Sequence, residues 1–234
     1  MRLLLAAAVL MIAAPFVRAG DAPVAPFRAQ YEVWRNGDKA GVARVELAAD
    51  GDGWTFTTHT KGTEGLAGFA GLEVDERTRF RWRDGRPEIV EYAYRQDAMF
   101  GKRRRSLAVD AAAGTIASTD KDERYTLAFA PNTMDRHVTV LALAADLASE
   151  RRDFAYTVAD RRDVTTHRYR DAGSEVVKVP AGAFECRKLE RVREKPGRTT
   201  TSWHAKEYGW LPVRMLQKEP EGDTVETRLV KLER

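Results

Sequence analysis

From Phe27 onward, apolar and polar residues alternate. In Phe27-Arg28-Ala29-Gln30-Tyr31-Glu32-Val33 every odd position is apolar, the period-two signature of a strand with one buried face. The same alternation runs through residues 43–47, 54–60 and 74–82, where Phe80 and Trp82 face one way and Arg79 and Arg81 the other. Asp84-Gly85 reads as a turn, and Pro87 opens a strand carrying Val90, Tyr92 and Tyr94. Strand-like pieces follow near residues 103–109, 124–129, 154–159, 164–170, 174–179, 184–193, 199–206, 211–218 and 224–232. They are separated by turn residues such as Asp50-Gly51-Asp52-Gly53, Ala172-Gly173, Pro180-Ala181-Gly182 and Glu221-Gly222-Asp223. About a dozen short strands at such spacing predict a mainly β fold, one antiparallel sheet curved into an open barrel or a sandwich.

Two segments break the alternation. Residues 62–72 carry Gly62, Gly65, Gly68 and Gly71, too many glycines for a stiff strand. With Leu66, Phe69 and Leu72 the segment reads as a flap over an apolar ligand, as a tip that dips into a membrane surface, or as a wide connection tucked under the sheet. Residues 135–148 form the one convincing helix after the N-terminal run, capped by Thr133 or Asp135. One stripe is Val138, Leu141, Ala142 and Ala145; a second, nearly opposite, is Val140, Leu143, Ala144 and Leu147. A helix apolar on both sides is normally buried. At about 21 Å it either plugs the hollow of the sheet or covers a cavity there.

The N-terminus has a separate logic. Arg2, an apolar run over residues 3–16, and Val17-Arg18-Ala19 before Gly20 have the three-part layout of a secretory signal. The run is shorter than the roughly 20 residues of a membrane span, and no later stretch resembles a second one. Residues 1–19 are therefore expected to be removed, leaving residues 20–234 as a single β-rich domain in the periplasm. Gly20 stands where a lipoprotein would need cysteine, so the mature protein is expected to be unlipidated. The single cysteine, Cys186, lies in an alternating stretch and reads as a buried thiol; the core holds the fold without disulfides.

Formal net charge is +4, and without Arg2 and Arg18 the 39 basic residues fall to 37 against 35 acidic ones. Interspersed, nearly balanced charge gives no nucleic-acid footprint. The exception is Lys102-Arg103-Arg104-Arg105, in which Lys102, Arg103 and Arg105 are candidates for contact with anionic headgroups, or else a charged strand start that keeps a sheet edge soluble.

No constellation specifies catalysis. His59, His137, His167 and His204 are scattered, no metal-ligand spacing occurs, and no nucleophile elbow or phosphate-binding loop is present; neither a cofactor nor a catalytic residue is expected. The candidate ligand surface is the concave sheet face, the inner helix stripe and the flap: Leu66, Phe69, Leu72, Phe80, Trp82, Val140, Leu143, Leu147 and Trp203.

An ordered set of motifs runs along the chain. It comprises Tyr31-Glu32-Val33, Gly37 and Gly41, Arg86-Pro87, Glu175-Val176-Val177, Pro180-Ala181-Gly182-Ala183-Phe184, Lys188-Leu189-Glu190-Arg191, Thr201-Ser202-Trp203-His204-Ala205-Lys206-Glu207, Leu211-Pro212-Val213-Arg214 and Leu229-Val230. This set resembles the bacterial domain of unknown function 3108 (DUF3108), a family of exported proteins that brings no catalytic residues with it. Residues 109–119 depart from its pattern. The expected architecture, antiparallel strands around a largely apolar helix, is also similar to lipoprotein carriers of the LolA/LolB type. The resulting expectation is a non-enzymatic periplasmic protein binding an acyl chain, lipid, glycolipid or lipoprotein. An envelope scaffold that binds another protein, and a hydrolase of an envelope polymer, are the alternatives.

Overall fold

The computed structural model describes residues 22–65, 68, 70–99, 101–193 and 197–234. Residues 1–19, expected to be removed, and two residues of the segment read as a flap or connection, Leu66 and Phe69, lie outside them. The first half supplies β1 (Phe27–Arg35), β2 (Asp38–Asp50), β3 (Gly53–Gly62), β4 (Glu73–Arg83), β5 (Arg86–Ala98), β6 (Gly101–Asp110), β7 (Thr115–Asp120) and β8 (Glu123–Ala128). The short β9 (Met134–Asp135) leads into the helix α1 (Thr139–Ala148). The second half supplies β10 (Phe154–Asp160), β11 (Asp163–Val179), β12 (Gly182–Val192), β13 (Thr199–Ala205), β14 (Leu211–Lys218) and β15 (Thr224–Glu233).

These fifteen strands form one sheet in the order β8-β7-β6-β5-β4-β3-β2-β1-β15-β14-β13-β12-β11-β10-β9. Sequence neighbours pair antiparallel, as tight turns allow. Asn36-Gly37 and Asp84-Gly85 take the paired positive φ values, 52° and 90°, 52° and 76°, that two-residue hairpin turns need. The first and last strands, β1 and β15, pair antiparallel and join the two halves, while β9 and β10 are parallel. The sheet curls without closing. Its ends are tacked together instead: Ile89 N–H on β5 donates to the Thr133 carbonyl at 2.9 Å, the Ser118 hydroxyl to the Arg161 carbonyl, and Arg162 pairs with Glu123 at 2.8 Å.

Bulges bend the strands at Gln30/Tyr31, Val33/Trp34, Arg79/Phe80 and Trp203/His204. Ala172-Gly173, expected as a turn, lies inside the 17-residue β11 at another such irregularity. Gly173 has φ 89°, so the glycine that suggested a turn serves a bulge instead.

The hollow is filled by α1, of which eight of ten residues are buried. Leu141, Ala142 and Ala144 have no exposed surface and pack in one core with Phe27, Leu47, Trp54, Phe80 and Leu229. Each fully buried leucine contributes about 2 kcal/mol from apolar burial. The helix starts at Thr139, four residues later than expected, because Asp135 belongs to β9 and pairs with Ala159. The Asp135 carboxylate still acts on the helix entry, accepting the His137 and Val138 N–H groups at 2.7 and 3.3 Å. At the other end, Asp146 is buried and held by Arg86 at 2.8 Å and the Tyr156 hydroxyl at 2.9 Å, which pins α1 to β5 and β10. Among the described residues no helix is long and apolar enough to cross a membrane.

Candidate functional site

The helix does not fill the hollow completely. Beside its N-terminal turn, β1, β2, β3, β14 and β15 enclose a half-open cavity of about 250 Å³. Register explains its position. Tyr31 lies opposite Ala43, Ala43 opposite Thr60, Val45 opposite Thr58, and Thr58 opposite Glu76; paired residues share a face, so small and hydroxylated side chains recur on the inner face where larger ones would close it. Phe27, Tyr31, Val45, Phe56, Leu211 and Met215 supply most of the apolar wall, and Val140 faces them from the helix. The Tyr31 hydroxyl is satisfied by the Pro212 carbonyl at 2.9 Å, leaving its ring as wall.

One end of the cavity is polar. Arg136 and His137, in the turn before α1, line it together with Glu76, Thr58 and Thr60. Arg136 donates to Glu76 and to the Tyr92 hydroxyl, both at 2.9 Å, and Tyr92 in turn donates to Glu76 at 2.9 Å. Burial works against the guanidinium charge, but Glu76 and Tyr92 more than offset it. The His137 ring lies between the Thr58 and Thr78 hydroxyls, at 2.8 and 3.1 Å, and against Phe56 at 4.5 Å between centroids. Burial pushes it down to about 4, so it is neutral near pH 7 and one ring nitrogen accepts while the other donates. Burial pushes the neighbouring Asp135 carboxyl up to about 7 despite its two backbone donors. The Arg136 charge is thus paired with Glu76, while its Nε and the Asp135 Oδ2 are buried without a hydrogen-bond partner among the described residues. Among the described residues no three His, Cys, Asp or Glu side chains converge as metal ligands.

Of the residues singled out from sequence, Val140 lines this cavity. Phe80, Leu143, Leu147 and Trp203 are 1–5% exposed and belong to the packed core, with Trp82 half-buried against it. Leu72 is half-buried beside β4. Trp203 sits under Arg214 and Lys188, 4.5 and 5.6 Å from its ring centroid. Its neighbour Ser202 pairs with the cavity residue Met215, so alternation turns Trp203 to the other face. The basic run is divided in the same way: Arg103 and Arg105 share the face of Gln96 and Tyr94, while Lys102 lies opposite Asp97 on the reverse. Arg105 is taken up by Asp120 at 3.0 Å and stacks on Tyr94 at 5.1 Å. Tyr31, Val45, Phe56, Arg136, His137 and Met215 were not singled out as site residues. The alternation marks the inner-facing strand residues, but nothing local marks Arg136 as the partner of a carboxylate 60 residues away.

The family model described as "Protein of unknown function (DUF3108)" matches residues 27–230. No curated protein matches the chain. Among solved structures, it is similar to a β-barrel-like protein of the domain of unknown function DUF1849 from Brucella abortus, at TM-score 0.55 and 14% identity, covering 90% of this chain and 98% of that one. It also aligns with a protein described as exported, with a YmcC-like fold, from Bacteroides fragilis (TM-score 0.34, 10% identity, 89% and 95% covered). A third alignment is with a protein described as a lipoprotein from Parabacteroides distasonis (TM-score 0.35, 10% identity, 91% and 97% covered). The Brucella likeness is one of fold.

Proposed function

The chain belongs to the DUF3108 family, proteins of unknown function, and we propose that it is an exported, non-enzymatic binding protein that holds the apolar chain of an envelope amphiphile in the cavity beside α1. The observation that carries this reading is the cavity itself, a half-open apolar cup with one polar end, where the rest of the hollow is tightly plugged. Its volume of about 250 Å³ lies just below the roughly 300–1,000 Å³ of drug-sized sites, so it takes one acyl chain or one end of a larger ligand. The leader-like residues 1–19 support export.

The test is native mass spectrometry of protein expressed with its leader and recovered from the periplasm. A bound mass in the range of a lipid or fatty acid, lost in Val140→Trp, is the expected result, because an indole at position 140 takes up much of the cavity. Bare polypeptide that also fails to take up added amphiphile would count against the reading and favour a scaffold that binds protein alone.

A further inference from the structure

A second polar cluster lies on the same inner face. Ser202 on β13 pairs with both Leu189 on β12 and Met215 on β14, and Met215 lines the cavity. Alternation along β12 therefore turns Arg191, and Arg193 just beyond the strand, to the cavity side. Arg191 lies opposite Tyr169. One strand, β13, lies between β12 and Gln217 of β14 in the cavity wall, a separation of two strand spacings or about 10 Å.

The two guanidinium groups are treated differently from their neighbours. Arg187 pairs with Asp171, Arg198 with Glu219 at 2.5 Å, and Arg136 with Glu76. Among the described residues Arg191 and Arg193 have no carboxylate partner. Arg193 donates only to the Arg198 carbonyl and, at 3.5 Å, to the Thr200 hydroxyl; the Arg191 Nε is buried with no partner at all. Burial together with repulsion from Arg191 and Arg198 lowers the affinity of Arg193 for its own proton. Burial and then Arg191 and Arg193 push the nearby His167 down to about 4, so it adds no charge near pH 7. Half-buried like charges are costly to hold together, and a guanidinium fork matches the oxygens of a carboxylate or phosphate.

We propose that Arg191 and Arg193 bind the anionic oxygen head, carboxylate or phosphate, of the amphiphile whose chain occupies the cavity. The assignment rests on the cavity reading above and makes the ligand class specific: a single-chain anionic amphiphile, not a neutral or cationic one. Arg136 is not the head's partner, because Glu76 already neutralises it.

Calorimetric titration of the full mature chain with dodecanoate, dodecyl phosphate, dodecyl maltoside and inorganic phosphate, each amphiphile below its micelle concentration, tests this. The two anionic amphiphiles are expected to bind about tenfold or more tighter than the maltoside, with inorganic phosphate far weaker than dodecyl phosphate. Arg191→Gln/Arg193→Gln should remove that advantage and leave maltoside binding unchanged. Should the double variant melt early, the single Arg193→Gln, at the strand end, carries the same comparison with a smaller loss. Equal affinity for all three amphiphiles, or no loss in the variants, would overturn the head assignment while leaving the cavity reading intact. Inorganic phosphate binding as tightly as dodecyl phosphate would likewise overturn it, as an anion site independent of any chain. Failure of every amphiphile to bind would remove both readings.

Discussion

Acidification should destabilise this protein through histidines that the fold keeps neutral, and His204 offers the simplest case. It has no exposed surface. Its Nδ1 lies 2.7 Å from the Trp210 carbonyl and its Nε2 2.8 Å from the Ser202 hydroxyl, so Nδ1 donates and Nε2 accepts. Burial pushes it down from an ordinary 6.5 to about 4. Above pH 6.5 the ring is neutral folded or unfolded, and the difference has no effect. As pH falls below 6.5 the unfolded chain takes up a proton that the folded chain refuses, so stability declines until about pH 4, where the loss levels off. The difference is worth about 3 kcal/mol in full and about 2 kcal/mol at pH 5. Urea unfolding of the wild type and His204→Gln at pH 7 and pH 5 isolates the contribution. The variant is less stable at pH 7, but its further loss on going to pH 5 should be smaller than the wild type's by about 2 kcal/mol. Equal losses in the two proteins, or an NMR titration placing His204 near 6.5, would show that burial does not hold the ring neutral.

Other perturbations separate the core from the cavity. Leu141→Ala, at a position with no exposed surface, should cost about 2–5 kcal/mol in chemical denaturation and leave the cavity wall in place. Asp146→Ala leaves Arg86 without its 2.8 Å partner and should cost about 3 kcal/mol, read as a lower thermal midpoint. Gly41→Ala drives a methyl into the Lys61 carbonyl oxygen across the β2–β3 ladder; amide exchange should show loss of protection along that pair. Val140→Trp should abolish amphiphile uptake with little change in thermal midpoint.

The sheet is legible in the sequence because period-two alternation survives wherever one face is buried, and the helix because a segment apolar on both sides has to be enclosed. What local patterning does not reveal is where alternation slips. The bulge between Trp203 and His204 leaves Ser202, Trp203, His204 and Ala205 all buried, so counting odd and even positions does not say which of them meets the cavity. The cavity is equally hidden, since it exists where Ala43, Thr58, Thr60 and Thr227 fall on one inner face contributed by strands distant in sequence. The Arg136–Glu76 pair, the cation pair Arg191 and Arg193, and the division of Lys102 from Arg103 and Arg105 depend on register and facing, which become definite only once the strands are paired.

If the space beside α1 receives a ligand's apolar chain, the Met215 methyl group in its wall reports on it directly. With the methionine methyls labelled with carbon-13, titration with dodecyl phosphate should shift the Met215 signal saturably while Met134, buried in the core, stays in place. Binding of the amphiphile with the Met215 signal unmoved would mean that its chain lies elsewhere.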